Sequence, residues 1–462
     1  MGPRLTRRAV CAGLAAAPFA RPLAAQGTPT LTAREGSVQL APPSYPETPV
    51  WSYDGLIPGP LIRAPQWGRV TRRLINELSA PTSVHWHGIR IANAMDGVAG
   101  LTQEPVPPGS SFDYDFDVPD AGTYWYHAHT ASMEQVGRGL SGPLIVDEAA
   151  PPDVDRDEVL VLDDWLIDPE TGGFVEPLAL PMAMSHGGRT GNLIGTNGRF
   201  DLSLPVRRNE RLRLRLINAA NARIFGLRLD GLEGWRVALD GMPLAAPEEV
   251  TGEIVLAPAQ RVDLIVDVTG EEAALLRLDD DEAWRPQVVF PVSGTASAAR
   301  RGPPGALPPN PDTDPPDLTD ATRLDMAMEG GAMAGFSRAL HRGEEIDFGT
   351  AVERGRFWSL AGALGNPDAP AAAPFARLSR GEVVRLTLLN RTAFPHAMHL
   401  HGMHVREVAN DGTLGPMRDT VLSLPDRPLE VAFAATNPGQ WLLHCHMLGH
   451  AASGMTTWID VI

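Results

Sequence analysis

The chain has 462 residues, enough for about three domains, with 46 glycines and 43 prolines but only 6 % aromatic residues. That composition suits many short strands joined by turns better than long helices. A formal charge of −17, without a dense basic patch, argues against nucleic acid as a partner.

The N-terminal stretch TRRAVCAGLAAAPFARPLAAQG sets Arg7 and Arg8 before a weakly apolar, alanine-rich run, with small residues at Ala24 and Ala25. It reads as a twin-arginine export signal over 1–27, sending the protein to the periplasm or out of the cell. The alternative, a basic start to an ordinary helix, is opposed by Pro18 and Pro22. The run is too short and too weakly apolar to span a membrane, and no other candidate span follows. Cys11 falls inside this segment, so the mature chain keeps one cysteine, Cys445, and no internal disulfide.

Residues 28–149 form the first folding unit. Its strand patterns include TLTAREGSVQLAP, RVTRRLINELSAPTSVHWHGIRI and SSFDYDFDVPDAGTYWYHAHT, the last with Phe112, Tyr114 and Phe116 on one face. EAAPP marks the boundary. The second unit, 150–295, holds EVLVLDDWLI, ERLRLRLINAA, WRVALDGMPL and RVDLIVDV, and its only histidine is His186. RLRLRLIN alternates as a half-buried strand should. Seven prolines between 303 and 316 mark 296–320 as an extended, semi-stiff linker. The third unit is 321–462. WGRVTRRLINEL, RNERLRLRLIN and RGEVVRLTLLN each give a polar turn, an alternating strand and an asparagine, a weak internal repeat. An all-β chain of three similar β-sandwiches in series is the economical architecture.

Ten of the 13 histidines lie in four clusters: HWHG (His85, His87), HAH (His127, His129), HAMHLH (His396, His399, His401) and HCHMLGH (His444, His446, His450). Histidines at i and i+2 on a strand share a face. Four such pairs, two early and two late, converge if the first and last units meet, and eight imidazoles in one place need a positive centre. Cys445, between His444 and His446, faces away from both and serves a different metal. With His396, His450 and a weak Met455 it gives the ligand set of a blue copper centre. Zinc fits poorly, because a structural zinc site is a closed set of four ligands and zinc has no redox role.

In order and spacing the four clusters resemble the copper-binding motifs of the multicopper oxidases, the family of laccases and bacterial cuprous oxidases. The likeness covers essentially the whole mature chain and is greatest to three-domain bacterial members. It implies three cupredoxin-like Greek-key domains and four copper ions. His396, Cys445, His450 and axial Met455 would hold type 1 copper, and His85 and His399 type 2. His87, His127, His129, His401, His444 and His446 would hold the type 3 pair. The implied reaction couples one-electron oxidation of a small donor to four-electron reduction of dioxygen to water, here by a monomer.

NAMDGVAGLTQEPVPPG resembles the family loop whose aspartate lies near type 2 copper, which makes Asp96 the proton-relay candidate; the alternative is that Asp96-Gly97 is only a turn. Three departures bear on function. Ala451 follows the last type 1 histidine, where many bacterial members carry Glu. Thr392 and Phe394 stand where cuprous oxidases carry Asp and Met. No long methionine-rich insert is present, only Met326, Met328 and Met333, of which the first two also fit a core strand. Met182, Met184 and His186 form another candidate Cu(I) site. Asp419, in MRDTV, matches a family strand-end motif. The expectation is a laccase-like oxidase of phenols or similar reductants. A periplasmic cuprous oxidase is the nearest rival. A copper-free division-associated relative is disfavoured, because every ligand position is filled.

Overall fold

The computed structural model describes residues 28–368 and 370–462. The expected export signal, with Arg7, Arg8 and Cys11, lies outside the described residues. Among these, no helix is long and apolar enough to cross a membrane. The protein is nearly all β, and its strands sort along the chain into three successive groups of sheets.

The repeated alternating strands are the organising element of each group. Gly68–Asn76, Arg211–Asn218 and Val383–Asn390 each lie parallel to the first strand of their group: Thr30–Val38, Arg156–Trp165 and Thr322–Gly330. The asparagine closing each repeat does the same work three times. Asn76, Asn218 and Asn390 each accept, through Oδ1, the backbone N–H two residues on, at 2.9–3.0 Å. Each Nδ2 donates to two further carbonyls. The side chain thus turns the chain out of the sheet and satisfies a buried turn.

The first and third groups share one continuous hydrophobic core, from Leu31 and Trp86 through Met328 and Trp358 to Cys445 and Met455. The second group has a separate core of its own. The first and last units therefore meet along an extended apolar contact, which brings their metal-ligand motifs within reach of one another. Met326 and Met328 are fully buried in that shared core.

The strand Arg211–Asn218 departs from the half-buried expectation: every residue on it is buried. Leu212, Leu214 and Leu216 face the core, while Arg211, Arg213 and Arg215 point into a second buried layer. There Arg211 pairs with Asp267 at 2.7 Å, Arg213 with Asp263 at 2.6 Å and Glu148 at 2.8 Å, and Arg215 with Asp157 at 2.7 Å. The chain contains no lysine, so every basic side chain carries the planar fork that suits such buried pairs. Residues 296–320 contain no regular element but are pinned. Asn310 bridges the backbone of Ala121 to Gly241, and Arg406 reaches the carbonyl of Thr313.

Candidate metal centres

Cys445 ends the strand Gly439–Cys445, and His450 lies on the short helix Leu448–Ala452 that follows. His396 starts the neighbouring strand His396–Leu400. The Cys445 sulfur is 3.6 Å from His396 Nδ1 and 3.7 Å from His450 Nδ1, and the two nitrogens are 3.1 Å apart. Both outer nitrogens are anchored. His450 Nε2 donates to the carbonyl of His186 at 2.6 Å, and His396 Nε2 donates to the Thr392 hydroxyl at 2.8 Å. Thr392 is free to accept because its own proton goes to Asn390 Oδ1 at 2.8 Å. Both Nδ1 atoms are then lone pairs facing each other beside a thiol, a repulsive arrangement that a cation relieves. Burial holds His396 well below the ordinary histidine value and His450 at about 4, and pushes the thiol up to about 12. Met455 is fully buried in the same core, its carbonyl accepting from Cys445 N at 3.1 Å.

The other eight histidines of the clusters form one buried assembly. His87, His127 and His446 lie with ring centroids 5.0–5.7 Å apart, and His129, His401 and His444 at 5.1–5.6 Å. Inside the first trio His127 Nε2 is 3.4 Å from His446 Nε2; inside the second, His401 Nε2 is 3.2 Å from His444 Nε2. His444 Nδ1 donates to the carbonyl of Cys445 at 2.9 Å and His401 Nδ1 to Asp96 Oδ2 at 3.0 Å, so the facing Nε2 atoms carry lone pairs. The remaining two, His85 and His399, donate from Nδ1 to the carbonyls of Asp96 and Asp419 at 2.8 and 2.9 Å. Their Nε2 atoms are buried without a partner. His87 is turned the other way round. Its Nε2 donates to Asp419 Oδ1 at 3.1 Å, and its Nδ1 is the orphan. Burial, reinforced by neighbouring imidazoles, keeps these rings neutral: His87, His127, His129, His399, His401 and His446 lie well below the ordinary value. An orphaned nitrogen on a ring anchored through its other nitrogen, as at His85, His87 and His399, is what a soft-to-borderline metal ion requires.

The family pattern described as multicopper oxidase matches residues 35–151 and 343–462. A multicopper oxidase of Mycobacterium tuberculosis, MmcO, is 30 % identical over 98 % of this chain and 90 % of its own. The chain belongs to the multicopper oxidase family. Among solved structures, a multi-copper oxidase from Pseudomonas thermotolerans is similar at a TM-score of 0.81, with 33 % identity over 94 % of this chain and 98 % of that one. Lac15, from a marine microbial metagenome, is similar at 0.76, with 38 % identity over 94 % and 100 %. The fold is accordingly that of the cupredoxin-like multicopper oxidases, and the protein is an oxygen-dependent copper oxidoreductase with type 1, type 2 and type 3 sites.

Several residues act differently from their sequence reading. Asp96 is fully buried, its carboxylate on His401 and its carbonyl on His85. Gly97 beside it has φ +83° and sits so close to the Val84 backbone that a Cβ has no room. The turn and the contact to the histidines therefore coexist. Asp419 is gripped by both terminal nitrogens of Arg261, at 2.9 and 2.6 Å. Arg261 comes from the middle unit and carries no sequence signal beyond opening a strand. Ala451 is completely buried and supplies no acid. Met182, Met184 and His186 lie on and just after the short helix Pro181–Ser185. Met182 is 68 % exposed, Met184 sits against Gly449, and His186 uses its carbonyl.

Proposed function

We propose a laccase-like oxidase that takes electrons singly from phenols or similar aromatic reductants. Four donors each lose one electron and one proton, and dioxygen gains the four electrons and four protons to leave as two waters. His396, Cys445, His450 and Met455 would hold type 1 copper, His85 and His399 type 2, and His87, His127, His129, His401, His444 and His446 the type 3 pair. The ions supply one-electron acceptance at the first centre and multi-electron storage at the second.

The protein's part is to join them. Cys445 contributes its sulfur to one set of nitrogens, its carbonyl accepts from His444 of the other, and its backbone runs directly into His444 and His446. Asp96 would carry protons, since its Oδ1 has no hydrogen-bond partner. Although that oxygen lies 3.3 Å from His85 Nδ1, the hydrogen there goes to the Asp96 carbonyl.

The observation carrying the aromatic-donor reading is the edge of the cysteine centre. His396 is backed by a neutral hydroxyl, Thr392, and an aromatic cluster of Trp358, Phe394 and the His186 ring stands beside it. A carboxylate and thioether at positions 392 and 394 would instead suit a cation. The Cu(I)-oxidising reading keeps one observation in its favour. A cavity of about 260 Å³ beside the helix Leu448–Ala452 is lined by Met133, Met184, Glu134, Glu176 and Asp368. Oxygen uptake by the copper-loaded enzyme, with a phenol and chelated Cu(I) run in parallel, decides between them. Faster uptake with the phenol supports the reading; faster uptake with Cu(I) overturns it and points to Met133 and Met184. Export through the twin-arginine route belongs to the same reading, and retention of an Arg7→Lys, Arg8→Lys variant in the cytosol tests it.

A further inference from the structure

A second cavity, of about 470 Å³, lies within the size range of small-molecule sites. One wall is apolar: Leu340, Leu364 and Ala371, with Leu340 54 % exposed. The other end is cationic through Arg342 and Arg356, with the His341 ring, which burial holds below the ordinary histidine value, beside them. In a chain with 56 acidic residues most of the described arginines pair with a carboxylate, and two neighbours do so. Arg354 pairs with Glu344 at 2.7 Å and Arg338 with Glu345 at 3.7 Å. Among the described residues neither Arg342 nor Arg356 has a carboxylate within ion-pair distance. Asp368 faces Arg356 from farther off and already accepts from Ala131 N with both oxygens, at 3.1 Å. Arg356 donates from Nη1 to the carbonyl of Ala452, and its Nε is buried without a partner. Burial and the neighbouring Arg342 both weaken the hold of Arg356 on its proton. Two adjacent guanidinium groups with spare donors beside an apolar wall form a receptor for a planar anion with a ring attached.

The pocket communicates with the cysteine centre. Ala452, which accepts from Arg356, closes the helix carrying His450. Two residues after Arg356, the buried Trp358 ring packs against His450 at 4.4 Å and His396 at 5.2 Å between centroids. Phe357 N and Trp358 N both donate to the carbonyl of Ser453. Residues 356–358 thus run from the cationic end of the pocket to the rings of the centre.

We propose that this pocket binds aromatic carboxylates, the carboxylate on Arg342 and Arg356 and the ring on Leu340 and Leu364, so that phenols bearing a carboxylate are the favoured donors. The second half of that statement rests on the aromatic-donor reading above. A bound phenolic acid gives up one electron and its phenolic proton as any other donor does, and the carboxylate takes no part in the chemistry.

The test separates the two halves. Binding of 4-methoxybenzoate, which has no free phenol to oxidise, is measured by calorimetry on the copper-loaded protein. Saturable binding that weakens about tenfold or more in Arg342→Gln is the result expected for loss of one charge-assisted contact. No saturable binding, or unchanged affinity in both Arg342→Gln and the Arg342→Gln, Arg356→Gln double variant, overturns the site. In turnover, 4-hydroxy-3,5-dimethoxybenzoate is compared with its methyl ester. The acid is expected to show a KM about tenfold below the ester's, with the ratio collapsing toward one in Arg342→Gln. Equal KM values in the native protein overturn the donor preference. Benzoate binding that is lost in Arg342→Gln, with neither phenol oxidised, upholds the pocket and removes the phenol reading.

Discussion

Asp96 and Asp419 do matching jobs on opposite halves of the eight-histidine assembly. Each gives its backbone carbonyl to a histidine of its own unit, His85 or His399, and its carboxylate to one from the other unit, His401 or His87. The ring pairs so tied are stacked, His85 on His401 at 3.9 Å and His87 on His399 at 3.8 Å. The symmetry stops at the next layer. Arg261 clamps Asp419 bidentately, and Thr420 donates to it as well. Among the described residues no arginine lies within ion-pair distance of Asp96, which keeps one oxygen without a hydrogen bond. The same cross-brace is thus rigid on one side and open on the other. A carboxylate committed to an arginine orients rings; one with a free oxygen can also pass a proton.

Breaking the rigid side should cost most. Arg261→Met leaves Asp419 a buried, uncompensated charge, expected to lower unfolding free energy by about 3–5 kcal/mol, read by denaturant titration. Copper counted by elemental analysis should fall, with the type 1 blue band retained. Asp96→Asn tests the open side. Oxygen uptake should drop about 100-fold or more, within the range of a lost general acid or base. Anaerobic bleaching of the blue band by donor should proceed at the native rate, because the cysteine centre is untouched. Equal damage from both variants in stability and in turnover would mean that the two aspartates are interchangeable and the contrast is false.

Smaller changes refine the comparison. Gly88 has φ +88°, and a Cβ there would collide with the guanidinium of Arg261 and meet Asp419 Oδ2 at 2.7 Å. Gly88→Ala should therefore mimic a weakened clamp, at about 1–3 kcal/mol by thermal melting. Anchoring of an outer ring nitrogen recurs at the cysteine centre, where Thr392→Val leaves His396 Nε2 unsatisfied at a cost of about 1–3 kcal/mol. Thr392→Asp would replace a neutral acceptor with an anionic one, raise the basicity of the ring and lower the type 1 reduction potential, measured by redox titration of the blue band.

The histidine clusters were legible because ligand chemistry is local: His-X-His on a strand presents two rings to one side wherever the strand lies. The alternating strands were legible for the same reason, and the structure adds that the asparagine ending each is a repeated turn device. The role of Thr392 was half legible, as a departure from a pattern, but its bond to His396 depends on Asn390 fixing the turn between them. The arginine face of Arg211–Asn218 misled, because alternation reports two unlike faces and not which of them water reaches. Acidic partners from Glu148 and Asp157 cover it.

The sequence by itself determined the all-β class, the thrice-repeated alternating strand ending in asparagine, and the four histidine clusters with Cys445 between two of their rings, since each rests on residue type and short spacing. Only the tertiary structure decided which ring nitrogen faces inward, that Asp419 is clamped by Arg261 while Asp96 is left open, and that Arg342 and Arg356 stand beside an apolar wall with no carboxylate at ion-pair distance among the described residues. The pairs that decide the clamp lie 158 residues apart and those that decide the cross-brace 305 and 332 apart. At such separations no local pattern constrains the partner, and packing of one core against another selects it.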